Sequence, residues 1–462
     1  MRSNTISASN TNIWKRTVIC ALTCLVLTST AALASTPIKP TPQQLTEYQA
    51  SPESTRVKLL IRLAKTGQHE LAAVLLQRFP LTGDFARNRQ LYIEGLILHA
   101  HGNLTGAAKK YRQALADDPS LTLVRADLAQ TLFELQEDDS AKHHLSLLMA
   151  EAPNEAEAKG IRSFIDTIDA RRPFTFNAYV SAAPSTNVNN GSSVKTVYDS
   201  NGGTIHIDPD SQQKSGIGFS TGFNAGYAKR LGNDFSLVLG GNVDAKIYSD
   251  SAFNNYGSSE SAELRYLLNN GHLGLGVVSS QSLRNDVSGL SYYSFGPRIG
   301  LQKDLTTKDR VNLSAVYEWR TYRDNSIADG TALLVDGAWS HAFSSDLTVG
   351  LNAGYHEVSS GIDFNSYRSY LAGASLYKEL PLGITTNLHG EVMYSDFDGI
   401  FPIYNKSRED KRFTGTVTLT KRDLNLWGYA PAIEYTYLYN DSNIANYQFD
   451  SHSVDFRLSK DF

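Results

Sequence analysis

Ser451-His452-Ser453-Val454-Asp455-Phe456-Arg457-Leu458-Ser459-Lys460-Asp461-Phe462 ends the sequence with a period of two. Val454, Phe456, Leu458 and Phe462 fall on one side, and Asp455, Arg457, Ser459 and Asp461 on the other. Successive side chains of a strand point to opposite faces, so this segment presents one apolar and one polar surface. That suits a strand with lipid on one side and a polar lumen on the other. A terminal aromatic on such a strand is what the bacterial barrel-assembly machinery reads, so Val454, Phe456, Leu458 and Phe462 are the expected insertion signal.

The other end of the sequence points to the same compartment. Arg2, Lys15 and Arg16 precede an apolar run from Val18 to Leu33, and Ala32-Leu33-Ala34 supplies small residues before Ser35. Residues 1–34 therefore read as a secretory signal peptide cleaved between Ala34 and Ser35. Both cysteines, Cys20 and Cys24, lie inside it, and neither is preceded by the small residues of a lipoprotein signal. The mature chain is expected to carry no thiol, no disulfide and no lipid anchor. No later run reaches the roughly 18 apolar residues of a spanning helix. A closed barrel is then the remaining way to cross a bilayer, because lipid leaves no backbone group free to go unpaired.

Removing the signal takes three positive charges from the 43, leaving 40 against 47 acidic residues, a balance of −7. With no basic surplus, a nucleic-acid partner is not expected. The 24 tyrosines and 34 glycines, against three methionines, suit a barrel with aromatic interfacial girdles.

From Phe174 onward the apolar period is two. Phe174, Phe176, Ala178 and Val180 begin it, then Ile217, Phe219, Phe223, Ala225 and Tyr227, then Leu237, Leu239, Val243 and Ile247; later, Phe413, Val417 and Leu419 alternate with Thr414, Thr416, Thr418 and Thr420. Runs between turn signals number about fourteen, an even count that leaves both barrel ends on one side. The connections alternate in length, as periplasmic turns and extracellular loops should. Short links are expected at 232–234, 269–271, 306–309, 344–346, 381–383 and 423–426, and longer polar ones at 185–214, 249–258, 359–365, 396–410 and 440–450. Pro297 and Pro431 fall inside strand patterns, where a missing donor breaks the ladder, and are expected to mark bulges or strand ends. Asp244, Lys246, Glu263, Arg265, Glu318, Arg320, Asp455 and Arg457 are expected to face the lumen, and their mixed signs argue against strong ion selectivity.

Residues 41–171 are rich in Ala, Leu, Gln and Glu, and the composition changes at Arg171-Arg172-Pro173. Gly95, Ala107, Tyr111, Ala114 and Pro119 recur 34 residues later as Ala129, Ala141, Leu145, Leu148 and Pro153, the tetratricopeptide spacing. Leu60, Gly67, Ala72 and Leu76 form a degenerate earlier copy, and Glu155 to Ala170 would cap the stack. Such arrays need about three repeats and a cap to bury a continuous core. Tyr92, His99, Gln130 and Phe133 are the expected lining of a client-binding groove, by their place on the first helix of each repeat. The fold class expected is α+β multidomain: all-α TPR-like repeats over residues 35–172, then a transmembrane antiparallel β-barrel of about fourteen strands over 173–462.

No nucleophile, base and carboxylate stand together in a recognisable motif, so no catalytic residues, cofactor or metal ligands are expected. His452 between Ser451 and Ser453, and His356 beside Glu357, suit solvated or wall positions. His99-Ala100-His101 and His143-His144 lie on expected helices, where residues one or two apart do not share a face. Asp208-Pro209-Asp210 offers carboxylates that could touch a calcium ion, but alternating acids in a loop are commonly just solubilising.

A signal peptide, a periplasmic tetratricopeptide unit and a C-terminal barrel together resemble the surface lipoprotein assembly modulator (Slam) family. Ser185-Thr186-Asn187-Val188-Asn189 also looks like that family's Asp-Ser-Asn-Ile-Asn element, with Ser185 in place of the acid. The resemblance implies a non-enzymatic outer-membrane translocator whose clients are surface lipoproteins or secreted haem-binding proteins. The competing class is a passive porin with a periplasmic helical interaction unit, and the 185–214 loop, which could plug the lumen, does not separate the two.

Overall fold

The computed structural model describes residues 40–83, 85–284, 291–323, 325–422, 424 and 429–459. The expected signal peptide, its Ala34/Ser35 junction and Phe462 lie outside them. Eight helices among the described residues come first: α1 (Pro42–Ala50), α2 (Glu53–Lys65), α3 (His69–Arg78), α4 (Ala86–Ala100), α5 (Leu104–Asp117), α6 (Thr122–Glu134), α7 (Asp138–Met149) and α8 (Glu155–Arg171). Three of them start with a side chain that accepts from the orphan N–H groups. Thr41 and Gln44 make a reciprocal capping box on α1, Asn103 caps α5 and Asn154 caps α8. The 34-residue pattern is a packing pattern: Ala107, Tyr111, Ala114, Ala129, Ala141, Leu145 and Leu148 all lie in one buried core with Leu60, Ile93, Leu128 and Leu132. Gly95 is required there because a Cβ would sit 2.7 Å from Cδ1 of Tyr111.

Fourteen antiparallel strands close a barrel, the first pairing with the last and every other with its neighbours in sequence. These are β1 (Phe174–Ser185), β4 (Gly216–Leu231), β5 (Phe235–Tyr248), β6 (Asn255–Leu268), β7 (Gly271–Leu283), β8 (Tyr292–Asp304) and β9 (Asp309–Tyr322). They continue with β10 (Gly330–Ser344), β11 (Leu347–Ser360), β12 (Tyr367–Leu380), β13 (Ile384–Phe401), β14 (Lys406–Lys421), β15 (Ala430–Ser442) and β16 (Phe449–Ser459). β1 and β16 seal the ring at Ser181↔Arg457 and Ser185↔Ser453, which leaves no open edge. A small hairpin, β2 (Thr196–Tyr198) with β3 (Thr204–His206), lies in the long β1–β4 loop. Among the described residues no helix is long and apolar enough to cross a membrane.

The period-two readings hold side by side. Phe413 and Leu419 are exposed on the outer wall while Thr418 and Thr420 are buried, and Phe456 and Leu458 of β16 also face outward. The links at 232–234, 269–270, 305–308, 345–346 and 381–383 are short and share one rim with the start of β1.

Two expectations need correction. The 396–410, 249–258 and 440–450 segments are not loops throughout, since β13 runs to Phe401, β14 starts at Lys406, β6 starts at Asn255, and β15 reaches Ser442. Ladder hydrogen bonds between hairpin partners need no lipid, so strands extend past the apolar band. Pro297 is neither a bulge nor a strand end: pairing of β8 to β9 skips Gly296 and Pro297 and resumes in the same register at Arg298↔Val316. Pro431 is the second residue of β15, as a strand-end proline should be.

Candidate functional site

The first helices of successive repeats bring three of the four expected groove residues together. Tyr92 on α4 is buried and its hydroxyl donates to Asp127 Oδ2 on α6 at 2.6 Å, while Lys65 of α2 binds the same carboxylate at 3.0 Å. His99 lies 2.9 Å from Glu134, and Gln130 donates to Glu134 at 3.0 Å. Burial and the Asp127 carboxylate push the Tyr92 phenol up, and the hydrogen bond to Glu134 raises His99. Phe133 stands apart, edge-on to Phe164 at 5.0 Å and beneath the Arg171 guanidinium. The groove side is thus a ladder of satisfied polar pairs, with the aromatic used as packing.

The face of α6 and α7 turned toward the barrel is built differently. Arg125 is fully buried and donates to Glu379 Oε2 at 2.7 Å and to the Pro119 carbonyl at 2.6 Å. Glu379, at the end of β12, is also fully buried at its side chain, and Arg422, which follows β14, reaches it at 2.6 Å. Tyr377 donates to the same carboxylate at 2.9 Å, with His143 Nε2 3.3 Å from its hydroxyl, and His144 Nδ1 is 3.3 Å from Arg125. Glu151 accepts the backbone N–H of Ser345 at 3.0 Å. Arg230 of β4 pairs with Asp166 at 3.1 Å, and Arg162 lies 3.9 Å from Asp304 at the end of β8. These attachments fall on β4, β8, the β10–β11 turn and β12, which in ring order reach from one side of the barrel to the other. The helical array therefore lies across the short-turn mouth.

Sequence reading missed this cluster. One signal was available: Arg125 occupies a core-facing position beside Val124, Leu128 and Leu132, where a cation needs a partner. That the partner is 254 residues away is not written locally.

His144 gives the junction a pH dependence. Burial, then the neighbouring His143 and Arg125, hold its pKa well below the ordinary value, with Arg112 acting the same way and Glu379 opposing. The ring is neutral in both states above about pH 6.5. Below that, the unfolded chain takes up a proton that the folded chain refuses, so stability falls by about 1.4 kcal/mol per pH unit. His99 and His101, both raised, carry the opposite sign and lose their contribution as pH rises. The thermal midpoint of the helical unit, followed by circular dichroism at pH 7.5 and 5.5, is expected to drop less in His144→Gln than in the parent.

The lumen holds a cavity of about 540 Å³ bordered by Glu263, His272, Arg298, Asp336, His356 and Glu391. Several of its polar groups face one another: His356 and Asp336 at 3.0 Å, Asn352 donating to Glu391 at 3.1 Å, and Arg298 3.9 Å from Glu263. Glu318 and Arg320 also pair with each other, at 3.1 Å, and Arg457 with Glu434 at 2.6 Å.

At the opposite mouth the Ser185–Asn189 element folds the long loop against the rim. Asn189, fully buried, donates from Nδ2 to the Asp210 and Gln212 carbonyls at 2.8 and 2.7 Å and accepts the Lys214 N–H at 3.1 Å. Asn187 donates to the Gly191 and Asp450 carbonyls, both at 2.9 Å. Ser192 reaches the Ala445 carbonyl and Ser200 the Ile403 carbonyl, tying this loop to two neighbours. Asn189→Ala strands three backbone groups, each costing about 1–3 kcal/mol when buried without a partner. It is expected to open residues 186–215 to protease at least tenfold faster than in the purified parent, and Asn189→Asp at least as fast, because its second carboxylate oxygen faces the Asp210 and Gln212 carbonyl oxygens.

Comparison with known proteins follows the same division of the chain. Residues 174–462 match the family described as surface lipoprotein assembly modifier, and residues 40–145 match its N-terminal TPR repeats. Surface lipoprotein assembly modifier 1 of Haemophilus influenzae is 21% identical over 381 residues, covering 80% of this chain and 77% of that protein. The hemophilin secretion modulator of Acinetobacter baumannii is 21% identical over 420 residues, covering 85% and 82%. Among solved structures, the Salmonella typhi OmpF complex with daunomycin aligns at 9% identity over 62% of this chain and 97% of its own, with a TM-score of 0.36, too low to carry an argument. Its barrel and its repeats each matching the corresponding part, the chain belongs to the surface lipoprotein assembly modifier family.

Proposed function

We propose that this chain is an outer-membrane translocator that delivers specific client proteins, surface lipoproteins or secreted haem-binding-type proteins, from the periplasm to the cell surface. The observation that carries the reading is the repeat array lying across the short-turn mouth, held by the buried Arg125–Glu379–Arg422 cluster. A client held on the repeats would already be at the barrel entrance. The names of its relatives support the reading, one a surface lipoprotein assembly modifier and one a hemophilin secretion modulator.

In this reading the signal peptide, residues 1–34, is cut between Ala34 and Ser35, and residues 35–172 sit in the periplasm. Residues 173–462 span the lipid bilayer after insertion by the barrel-assembly machinery through Val454, Phe456, Leu458 and Phe462. His99, Gln130 and the Asp127–Glu134 ladder held by Tyr92 meet the client, with Phe133 shaping the edge of the groove. The chain acts as a conduit rather than an enzyme, and folding of the client outside draws it through.

The test is surface protease accessibility of candidate lipoproteins and secreted haem-binding proteins in cells with and without this chain, with total client level followed. Loss of surface exposure with accumulation inside is the expected result. Unchanged exposure of every candidate, with altered small-solute uptake, would replace this reading by a passive porin.

A further inference from the structure

The antiparallel course of α3 and α4 puts the start of one beside the end of the other. His69 and Glu70 open α3, His101 directly follows α4, and one ligand atom from each lies within 4.8 Å of the other two. The rings of His69 and His101 meet edge to face at 4.5 Å.

The hydrogen bonding of His101 points both ring nitrogens at acceptors. Its Nδ1 is 2.8 Å from the Ile97 carbonyl, which can only accept, so Nδ1 carries the proton. Its Nε2 is 2.8 Å from Glu70 Oε1. In the neutral ring that nitrogen is a lone pair facing a carboxylate, an arrangement that needs a second proton or a cation between them. An imidazole whose other nitrogen donates to a backbone carbonyl is also how proteins orient a histidine toward a metal. His69 adds a buried Nδ1 that has no hydrogen-bond partner. Glu70 and His101 are partly exposed at their side chains, 66% and 38%, so an ion can enter and water can complete its shell.

We propose that His69, Glu70 and His101 form a binding site for one divalent transition-metal ion of the zinc type, with water as the fourth ligand. Two imidazoles and a carboxylate are donors that zinc accepts, and bonds near 2.1 Å in a tetrahedron place donors about 3.4 Å apart. The His101 and Glu70 donors are already 2.8 Å apart, and the His69 donor lies within 4.8 Å of both. The ion would clip α3 to α4, fixing the angle between the degenerate first repeat and the next. The site goes beyond the translocator reading and does not depend on it.

The test uses the full chain, purified in detergent and stripped with chelator, titrated with Zn²⁺ by calorimetry and with Co²⁺ by visible absorption. One equivalent is expected, with the d–d bands of a tetrahedral site. His69→Ala and His101→Ala are each expected to weaken zinc binding at least tenfold. Glu70→Gln, an exposed isosteric change that cannot unfold the array, is expected to do the same. His99→Ala, two residues from His101 but paired to Glu134, is expected to bind as the parent does. Absence of binding in the parent overturns the proposal, because a proton then suffices between His101 and Glu70. Binding that survives Glu70→Gln and His101→Ala, or that falls equally in His99→Ala, overturns it as well.

Discussion

Glu379→Ala releases the helical array from the barrel. The carboxylate is the shared partner of Arg125 and Arg422, both within 2.7 Å, and it also accepts from Tyr377. Taking it away leaves two guanidinium groups facing each other out of water, and breaking a buried pair in this way costs about 3–5 kcal/mol. Arg125→Ala is milder, since Glu379 keeps Arg422 and Tyr377, and its cost is set by hydrogen bonds to a charged group at about 1.5–3 kcal/mol. The order Glu379→Ala, then Arg125→Ala, then parent is the content of the prediction. It can be read by bismaleimide bridging of Glu151→Cys to Ser345→Cys in each background, with Cys20 and Cys24 replaced by serine. Bridging is expected to fall toward background in Glu379→Ala while the heat-modifiable migration of the barrel on gels is unchanged. Equal bridging in all three backgrounds would show that the rim pairs alone hold the array.

Gly95→Val destabilises the repeat core unless Tyr111 is shortened at the same time. Any Cβ at position 95 meets the Tyr111 ring, which is almost fully buried and cannot rotate away. Overpacking of this kind costs about 1–3 kcal/mol, offset only in part by the few tenths of a kcal/mol that valine gains over glycine inside a helix. Tyr111→Ala alone leaves a cavity in place of an aromatic ring, at about 3–5 kcal/mol. The two changes fill each other's space, so Gly95→Val with Tyr111→Ala is expected to be more stable than the sum of the two losses by more than 1 kcal/mol. The measurement is the urea midpoint of the helical signal at 222 nm for the parent, both single variants and the double variant. Strict additivity would mean that residues 95 and 111 do not share a cavity.

What the sequence determined was everything written in local periods. A strand with water on one side and lipid on the other has to alternate, so Val454, Phe456 and Leu458 announced the barrel wall, and Phe413 to Thr420 repeated the signal. A helix pair that stacks on its copy needs small and large residues at fixed offsets, so Gly95 with Tyr111 and Ala129 with Leu145 announced the repeats. Loop lengths separated the two mouths of the barrel; the ends of the longer hairpins were misjudged because ladder bonding continues where the apolar signal stops, and Pro297 because pairing resumes beyond it in the same register.

What only the tertiary structure decided was which distant surfaces meet. Arg125 and Glu379 are 254 residues apart, and His101 is 31 from Glu70, separations with no period and no local signature. A buried charge reports that it needs a partner but not where the partner lies, since pairing depends on how two finished units are laid against each other. The same holds for the four groove candidates: their helix positions were legible, yet whether a side chain meets a neighbour or a client depends on the angle between repeats, so Tyr92 is buried on Asp127 while Phe133 packs beneath Arg171. Local pattern fixes the elements because backbone geometry is local; the junction belongs to the assembled molecule, because burial and charge pairing are properties of volume shared between elements far apart in the chain.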